Sequence, residues 1–269
     1  YGKNIKEEYF EDDDKLLGKS NVFRWSYAAG KTVGEYYAKA FESQGLNYDI
    51  VRFFNIVGPG QVSNYGMVIP TFVKQAINEE EITIYGNGEQ IRCFTHVRDA
   101  VEICYRLSHT AKASNTYYNV GSNEAVSINE LANLILYMTK SKSKKKYLAY
   151  ESAYGIDFED CPKRMPNCSK IMGRVGILKF TPLNQIVEET IQYEIMEKKK
   201  KFNAKIDTLY AKLKEHKCKV AVVGLGYVGL PLAISLSKYF SVIGFDIDSD
   251  KICKYNSGNA IPEDILERE

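Results

Sequence analysis

Three observations predict an α/β fold with parallel strands for this chain. Between residues 21 and 121, stretches of helical period alternate with short apolar runs, the pattern left by strand–helix–strand crossovers. Near the other end, Val220-Ala-Val-Val223 runs into Gly224-Leu-Gly226-Tyr-Val-Gly229 and then an apolar segment, so a strand, a turn and a helix follow in sequence. A further apolar run, Val242-Ile-Gly-Phe245, closes on Asp246 and reads as the second strand of that unit.

Residues 27–44 carry small and aromatic side chains on one side of a helix. Residues 48–54 form a strand, closed by Gly58-Pro-Gly60. Ile69, Phe72, Val73, Ala76 and Ile77 have helical spacing over residues 68–78. Residues 82–85 and 90–96 flank Gly86-Asn-Gly88 and predict an extended pair around a tight turn. Residues 97–108 form a helix, and Ser127-Ile-Asn-Glu130 ahead of Leu131, Leu134 and Ile135 is a capping box opening another. A last amphipathic helix over 182–198 runs into four lysines, and residues 203–215 predict a separate polar lead-in helix before a second sheet beginning at Lys219. The predicted organisation is a first domain over residues 1–200, a helical linker over 201–216 and a second domain over 217–269.

Composition narrows the classes. The chain has 269 residues, 45% hydrophobic and 26% charged, which suits a soluble globular protein of one large or two ordinary domains. A net charge of +2 gives no drive toward nucleic acid or anionic lipid. The lysine runs at 140–146 and 198–201 read as solvated surface, since they lack the interleaved aromatics of a nucleic-acid groove. No apolar run reaches membrane-spanning length and no signal peptide is visible, so no membrane role is expected. A start at Tyr1 rather than Met implies further chain upstream. The six cysteines have no paired metal spacing, so no metal is expected and a reducing cytoplasm fits.

Tyr27 and Lys31 are four apart on a predicted helix, so both side chains leave one face. A neighbouring ammonium favours phenolate over phenol and makes a tyrosine able to accept a proton from a sugar hydroxyl. The same spacing recurs at Tyr210 and Lys214, where an exposed helix explains it, so context decides. That context is Arg24-Trp-Ser-Tyr27-Ala-Ala-Gly-Lys31, Val51-Arg-Phe-Phe-Asn55-Ile-Val-Gly58-Pro59, Tyr65-Gly-Met-Val-Ile-Pro70 and Ile84-Tyr-Gly-Asn-Gly-Glu-Gln-Ile-Arg92-Cys-Phe-Thr-His96, in that order. Together, over residues 1–195, they resemble the extended short-chain dehydrogenase/reductase family in its NAD-dependent nucleotide-sugar epimerase, dehydratase and decarboxylase branch.

The resemblance implies roles. Tyr27 is the catalytic base and Lys31 its partner on the cofactor ribose, with Phe54 also beside the cofactor. Asn55, Val68, Tyr85, Arg92 and Arg164 are the substrate side: Asn55 and Arg92 on the diphosphate, Tyr85 against the uracil ring, Arg164 as a second arginine. Alternatives stay open, with Tyr85 as a strand core residue and Arg92 as a surface charge. His96 reads as a hydrogen-bonded core histidine. Tyr1-Gly2 resembles the close of the motif whose hydroxyl assists the tyrosine, and no dinucleotide loop precedes residue 20.

Gly224, Gly226 and Gly229 have a mechanical reading of their own. The first permits a tight turn, the second lets backbone approach a pyrophosphate, and the third allows close helix–strand packing. A pyrophosphate would then rest on amides at a helix N-terminus, with Tyr227 and Val228 in the same loop. Asp246 is placed to bind both adenosine ribose hydroxyls and to repel a 2'-phosphate, favouring NAD over NADP. Asp248 reads as a turn residue. Over residues 203–255 this resembles the start of nucleotide-sugar 6-dehydrogenases of the UDP-glucose/UDP-N-acetylhexosamine type.

The predicted fold is therefore an incomplete Rossmann-like domain with a substrate-binding subdomain, followed by the first β-α-β unit of a second Rossmann domain. The expected function is that of an NAD-dependent UDP-sugar 4-epimerase or UDP-glucuronate decarboxylase, joined to part of a dehydrogenase. The alternative is a non-catalytic binding fragment. By family analogy a homodimer through the tyrosine helix is expected.

Overall fold

In the computed structural model, residues 1–2, 5–22, 24–63, 67–150, 161–176, 179–215, 217–226 and 229–257 are described. They divide into two units, Tyr1–Met196 and Glu197–Glu269.

The first unit runs α1 (Arg24–Glu42), β1 (Asp49–Phe53), β2 (Ile56–Val57), α2 (Val68–Ile77), β3 (Ile82–Tyr85), β4 (Ile91–Cys93), β5 (Thr95–His96), α3 (Val97–Ser108), β6 (Thr116–Val120), β7 (Ala125–Ser127), α4 (Ile128–Thr139), β8 (Lys145–Leu148), β9 (Lys163–Arg164) and α5 (Ser169–Val175). A long helix, α6 (Leu183–Lys214), follows and continues past the division between the units. β1 lies parallel to β6, with Asp49 opposite Thr116 and Phe53 opposite Val120. Tyr118 and Val120 bury against Ala100, Ile103 and Leu107 of α3 and Ile171 of α5. A second core joins the apolar stripes of α2 and α4 to Ile82 and Ile84 of β3 and to Leu183, Ile186, Val187 and Ile191 of α6. The capping box is formed: Ser127 Oγ accepts from the Glu130 amide, and the Glu130 carboxylate accepts from the Ser127 amide.

The stretches flanking Gly86-Asn-Gly88 do not pair with each other, contrary to the sequence expectation. β3 pairs in parallel with β8, whereas β4 lies between an antiparallel β7 and a parallel β9. The reason is local capture of the turn. Gly88 O accepts from the Asn129 amide and Gln90 O from the Ile128 amide, which bends the chain toward the start of α4. Residues 203–215 are likewise not a separate helix. The lysine run at 198–201 consists of good helix formers, and no Gly or Pro interrupts α6 between Leu183 and Lys214.

The second unit contains the rear part of α6, then β10 (Lys219–Val223), α7 (Gly229–Ser237), β11 (Ser241–Phe245) and α8 (Ser249–Asn256). β10 and β11 are parallel and joined through α7, a β-α-β unit over a small core of Val222, Leu225, Leu230 and Ala233. The chain is thus an α/β protein with Rossmann-like organisation.

Candidate functional site

One cleft of about 950 Å³ in the first unit gathers residues from four segments of the chain. That volume lies at the upper end of small-molecule sites. Tyr27, Lys31 and Glu35 enter from one side of α1, four residues apart. Phe54 and Asn55 come from the end of β1, Arg164 from β9, and Tyr1, Tyr9 and Lys15 from the leading segment. Tyr27 is 73% exposed, so its hydroxyl is not packed away in apolar surroundings. The Lys31 ammonium lies 5.6 Å from its ring centroid, which puts the two side chains on one helix face. Buried Trp25, two residues before Tyr27, also lines the cleft.

The strand end that carries Phe54 and Asn55 is fixed from both sides. The Phe54 amide donates to Val120 O, and Thr95 Oγ1 donates to Phe54 O. Asn55 has φ +41, a left-handed conformation that asparagine tolerates better than most residues. Its side-chain amide donates to Cys93 O at 2.8 Å, which orients the group at the edge of the cleft.

The predicted substrate-side residues are not all brought together. Arg164 lines the cleft with Asn55, but Val68, Tyr85 and Arg92 are not among its lining residues. Arg92 is tied to the site indirectly, as the register partner of Arg164 across the parallel β4–β9 pair. That register sets two guanidinium-bearing side chains side by side on one sheet face. Arg92 also donates to Ile91 O at 2.8 Å. Val68 opens α2 and is half-buried against the core of that helix. Tyr85 alternates with buried Ile82 and Ile84 and is itself half-buried on the other face of β3, so it is not a core residue of that strand.

A charged network beside the tyrosine was not singled out from the sequence. Arg52 binds Glu35 with two parallel hydrogen bonds, Nε to Oε1 at 2.9 Å and Nη2 to Oε2 at 2.8 Å. It also donates to the Tyr1 hydroxyl and to Glu11 O. Lys15 pairs with the same carboxylate. Burial alone would raise the Glu35 carboxyl, but the hydrogen bonds from Arg52 and Lys15 outweigh it and hold it below the ordinary range. The network clamps the helix of Tyr27 to the strand of Asn55. Its only sequence signal was the position of Glu35 four residues beyond Lys31.

His96 is buried and caps α3. Nδ1 accepts from the Arg98 amide at 3.0 Å, and Nε2 lies 3.2 Å from Glu189. It is the structural histidine that the sequence favours.

In the second unit, Gly224 has φ +86, and its amide donates to Phe245 O at 2.7 Å. A Cβ on Gly229 would sit 1.7 Å from Gly224 O, so the third glycine is required for the helix to meet the turn. A Cβ on Gly226 would meet nothing within 4 Å, which leaves its backbone open to a ligand. Asp246 directly follows β11. Its carboxylate accepts from the Leu225 and Asp248 amides, and these bonds hold it below the usual aspartate range. Asp248 caps α8 through the Asp250 and Lys251 amides, a turn role. Tyr227 and Val228 lie outside the described residues. An open second glycine, a crowded third and an anchored acid fit a dinucleotide pyrophosphate and its ribose.

Comparison with known proteins places these features. Residues 1–121 match the NAD dependent epimerase/dehydratase family, and residues 218–268 match the UDP-glucose/GDP-mannose dehydrogenase family, NAD binding domain. The chain is 38% identical over 194 residues to the UDP-N-acetyl-alpha-D-glucosaminuronate decarboxylase of Bacillus cytotoxicus, covering 72% of this chain and 60% of that protein. It is 31% identical over 171 residues to UDP-glucuronic acid decarboxylase 1 of Xenopus tropicalis, covering 63% and 39%. Among solved structures it is similar to the UDP-N-acetylglucosamine 4-epimerase of Methanobrevibacter ruminantium in complex with UDP-N-acetylmuramic acid, with 28% identity and a TM-score of 0.63 over 73% of this chain and 60% of that one. The chain therefore spans 60% or less of the length of these relatives. The front of the chain, over residues 1–121, is thus similar to the NAD dependent epimerase/dehydratase family, and residues 218–268 are similar to the NAD binding domain of the UDP-glucose/GDP-mannose dehydrogenase family.

Proposed function

We propose that the first unit is the substrate-side part of an NAD-dependent enzyme acting on a UDP-sugar, as a 4-epimerase or a glucuronate-type decarboxylase. The observation that carries this reading is the meeting of Tyr27, Lys31, Asn55 and Arg164, from three separate segments, around one open cleft. Tyr27 takes the proton of a sugar hydroxyl, and Lys31 stabilises the phenolate and holds the cofactor ribose. Phe54 stands beside the cofactor. Asn55 positions the sugar diphosphate, and Arg92 and Arg164, as neighbouring guanidinium groups, neutralise its charge. Val68 and Tyr85 serve the nucleoside end. The chemistry that NAD would supply when bound is a hydride acceptor for the sugar carbon. In the second unit, Gly224, Gly226, Gly229 and Asp246, with Tyr227 and Val228, form a second NAD-binding segment of dehydrogenase type.

Two further parts belong to this reading. Six free cysteines suit the reducing cytoplasm. A homodimer through α1 is supported by its exposed Val33, Tyr36, Tyr37 and Phe41.

The test is calorimetric titration of the full chain with UDP-glucose, UDP-glucuronate and NAD, alongside a turnover assay. Binding with turnover is expected, and Tyr27→Phe should abolish turnover while leaving UDP-sugar affinity within about threefold. Binding without turnover would make the chain a binding module, and no UDP-sugar binding would overturn the proposal.

A further inference from the structure

The rear part of α6 is amphipathic, and its apolar side lies open. Phe202, Ile206, Leu209 and Tyr210 are 63%, 49%, 53% and 54% exposed, and half-buried Leu213 continues the row. The helical period gathers Phe202, Ile206, Leu209 and Leu213 into one narrow stripe. Residues 198–214 also hold seven lysines against the single Asp207, so the net charge of +2 for the whole chain averages over a strongly basic segment. Lys198, Lys205 and Lys212 follow one border of the stripe at seven-residue intervals, and Lys199 and Tyr210 follow the other. The Lys214 ammonium lies 4.8 Å from the Tyr210 ring centroid, so this second border also ends in a cation. Ala204, Thr208 and Ala211 occupy the opposite side of the helix, and Asp207 is turned away from the stripe.

The charge pattern chooses the occupant of this face. A nucleic acid needs cations at the centre of the contact, where this helix places Phe202 and Leu209. A second copy would bring two segments of net positive charge together. An acidic protein would need two acidic rows matched to the two borders. A sheet of anionic headgroups meets both borders at once, with an acyl boundary beneath it for the stripe. Lysine stems lie along such a boundary while their ammonium groups stay at headgroup level, and a tyrosine at the border has the same amphipathic form. Among the described residues no helix is long and apolar enough to cross a membrane, so the contact runs along the surface. We infer that residues 198–214 of α6 are a surface-lying anchor for a bilayer that contains anionic lipid. The inference uses neither candidate site, and it holds whether or not copies pair through α1.

Co-sedimentation of the full chain with vesicles tests it. Binding is expected to phosphatidylcholine vesicles that contain phosphatidylserine, and at least tenfold weaker binding to phosphatidylcholine alone. Added salt should weaken the first by screening the lysines. Lys205→Gln with Lys212→Gln, and separately Phe202→Ser with Leu209→Ser, should each weaken it at least tenfold. Ala204→Gln, on the opposite side, should leave it unchanged. All these positions are exposed, so unchanged far-ultraviolet circular dichroism and an unchanged unfolding midpoint would show that the fold is intact. A fluorescent reporter identifies the face, because the parent has only Trp25. Relative to that background, Leu209→Trp should shift its emission to the blue on phosphatidylserine vesicles, and Ala211→Trp should not. Four results would overturn the inference. One is a parent chain that stays in solution with phosphatidylserine vesicles. Another is binding that survives either double variant, which would place the contact elsewhere. The third is equal binding to both vesicle types, which would leave the lysines without a role. The fourth is an oligomer dispersed by the stripe variants in a chain that ignores vesicles, which would assign the stripe to a second copy.

Discussion

The two units handle the same problem, placing a few polar groups beside parallel strands, with very different amounts of structure. The first covers its site with two cores whose central residues, such as Ile135, Ile186 and Val120, are fully buried. The second rests on one small cluster, Val222 and Leu225 against Leu230 and Ala233 of α7, while Val223 on β10 is 83% exposed and Phe245 and Ile247 are also exposed. A parallel sheet is normally covered on both faces, whereas among the described residues of the second unit these apolar side chains on one face are exposed. Its glycine loop is nevertheless set by neighbours in sequence, whereas the tyrosine cleft needs residues over a hundred positions apart. A cofactor loop can therefore be written in a short segment, but a substrate cleft depends on the whole packing.

The largest effect separating the two units should come from the charged network of the first. Arg52 and Glu35 have side chains only 13% exposed, so Glu35→Ala leaves two cations without their partner. Breaking a mostly buried pair of this kind costs about 3–5 kcal/mol. Denaturant unfolding should show that loss in the first unit and none in the second. Acid sharpens the contrast. Because the folded carboxyl titrates below its unfolded value, its contribution is complete above the ordinary glutamate range and is lost as pH falls through the lowered value. First-unit stability should thus fall below about pH 4 in the parent and change less in Glu35→Gln. Asp246 is also held low by backbone amides, but it is only half-buried and, among the described residues, pairs with no buried cation, so it should add less acid sensitivity to the second unit.

Gly229→Ala makes the reverse cut. The added methyl would sit 1.7 Å from Gly224 O, so backbone must move, at a cost of about 1–3 kcal/mol. NAD binding by the second unit should weaken at least tenfold in calorimetry, with UDP-sugar binding by the first unchanged. Equal losses at both sites would mean that the units are not separate in energy.

How much of this was readable in advance follows the same division. Ser127 and Glu130, or Gly224 and Gly229, act on partners within five residues, so their roles were visible in the string. The Tyr27–Lys31 pair was legible for the same reason. Glu35 meets Arg52 across 17 residues, and Arg92 meets Arg164 across 72, and no local period encodes either meeting. The two stretches around Gly86 and Gly88 look like partners in the sequence because a turn signal reports a reversal without reporting which strand waits beyond it. The continuous α6 misleads in the opposite sense, since a change from amphipathic to polar composition resembles a break when nothing in the backbone requires one.

The smallest predicted effect compares the two side-chain caps directly. Ser127 and Asp248 each accept backbone amides at a helix start, and replacing either with alanine costs about 1 kcal/mol locally. The consequences should differ because the helices differ in what they bury. α4 contributes Ile128, Leu131, Ala132 and Ile135 to the largest core, so Ser127→Ala should lower the global unfolding midpoint of the first unit. α8 buries no residue completely, so Asp248→Ala should leave the second-unit midpoint nearly unchanged and raise amide exchange only over Ser249–Asn256. A matching global shift in both variants would show that the second unit folds as cooperatively as the first, despite its thinner core.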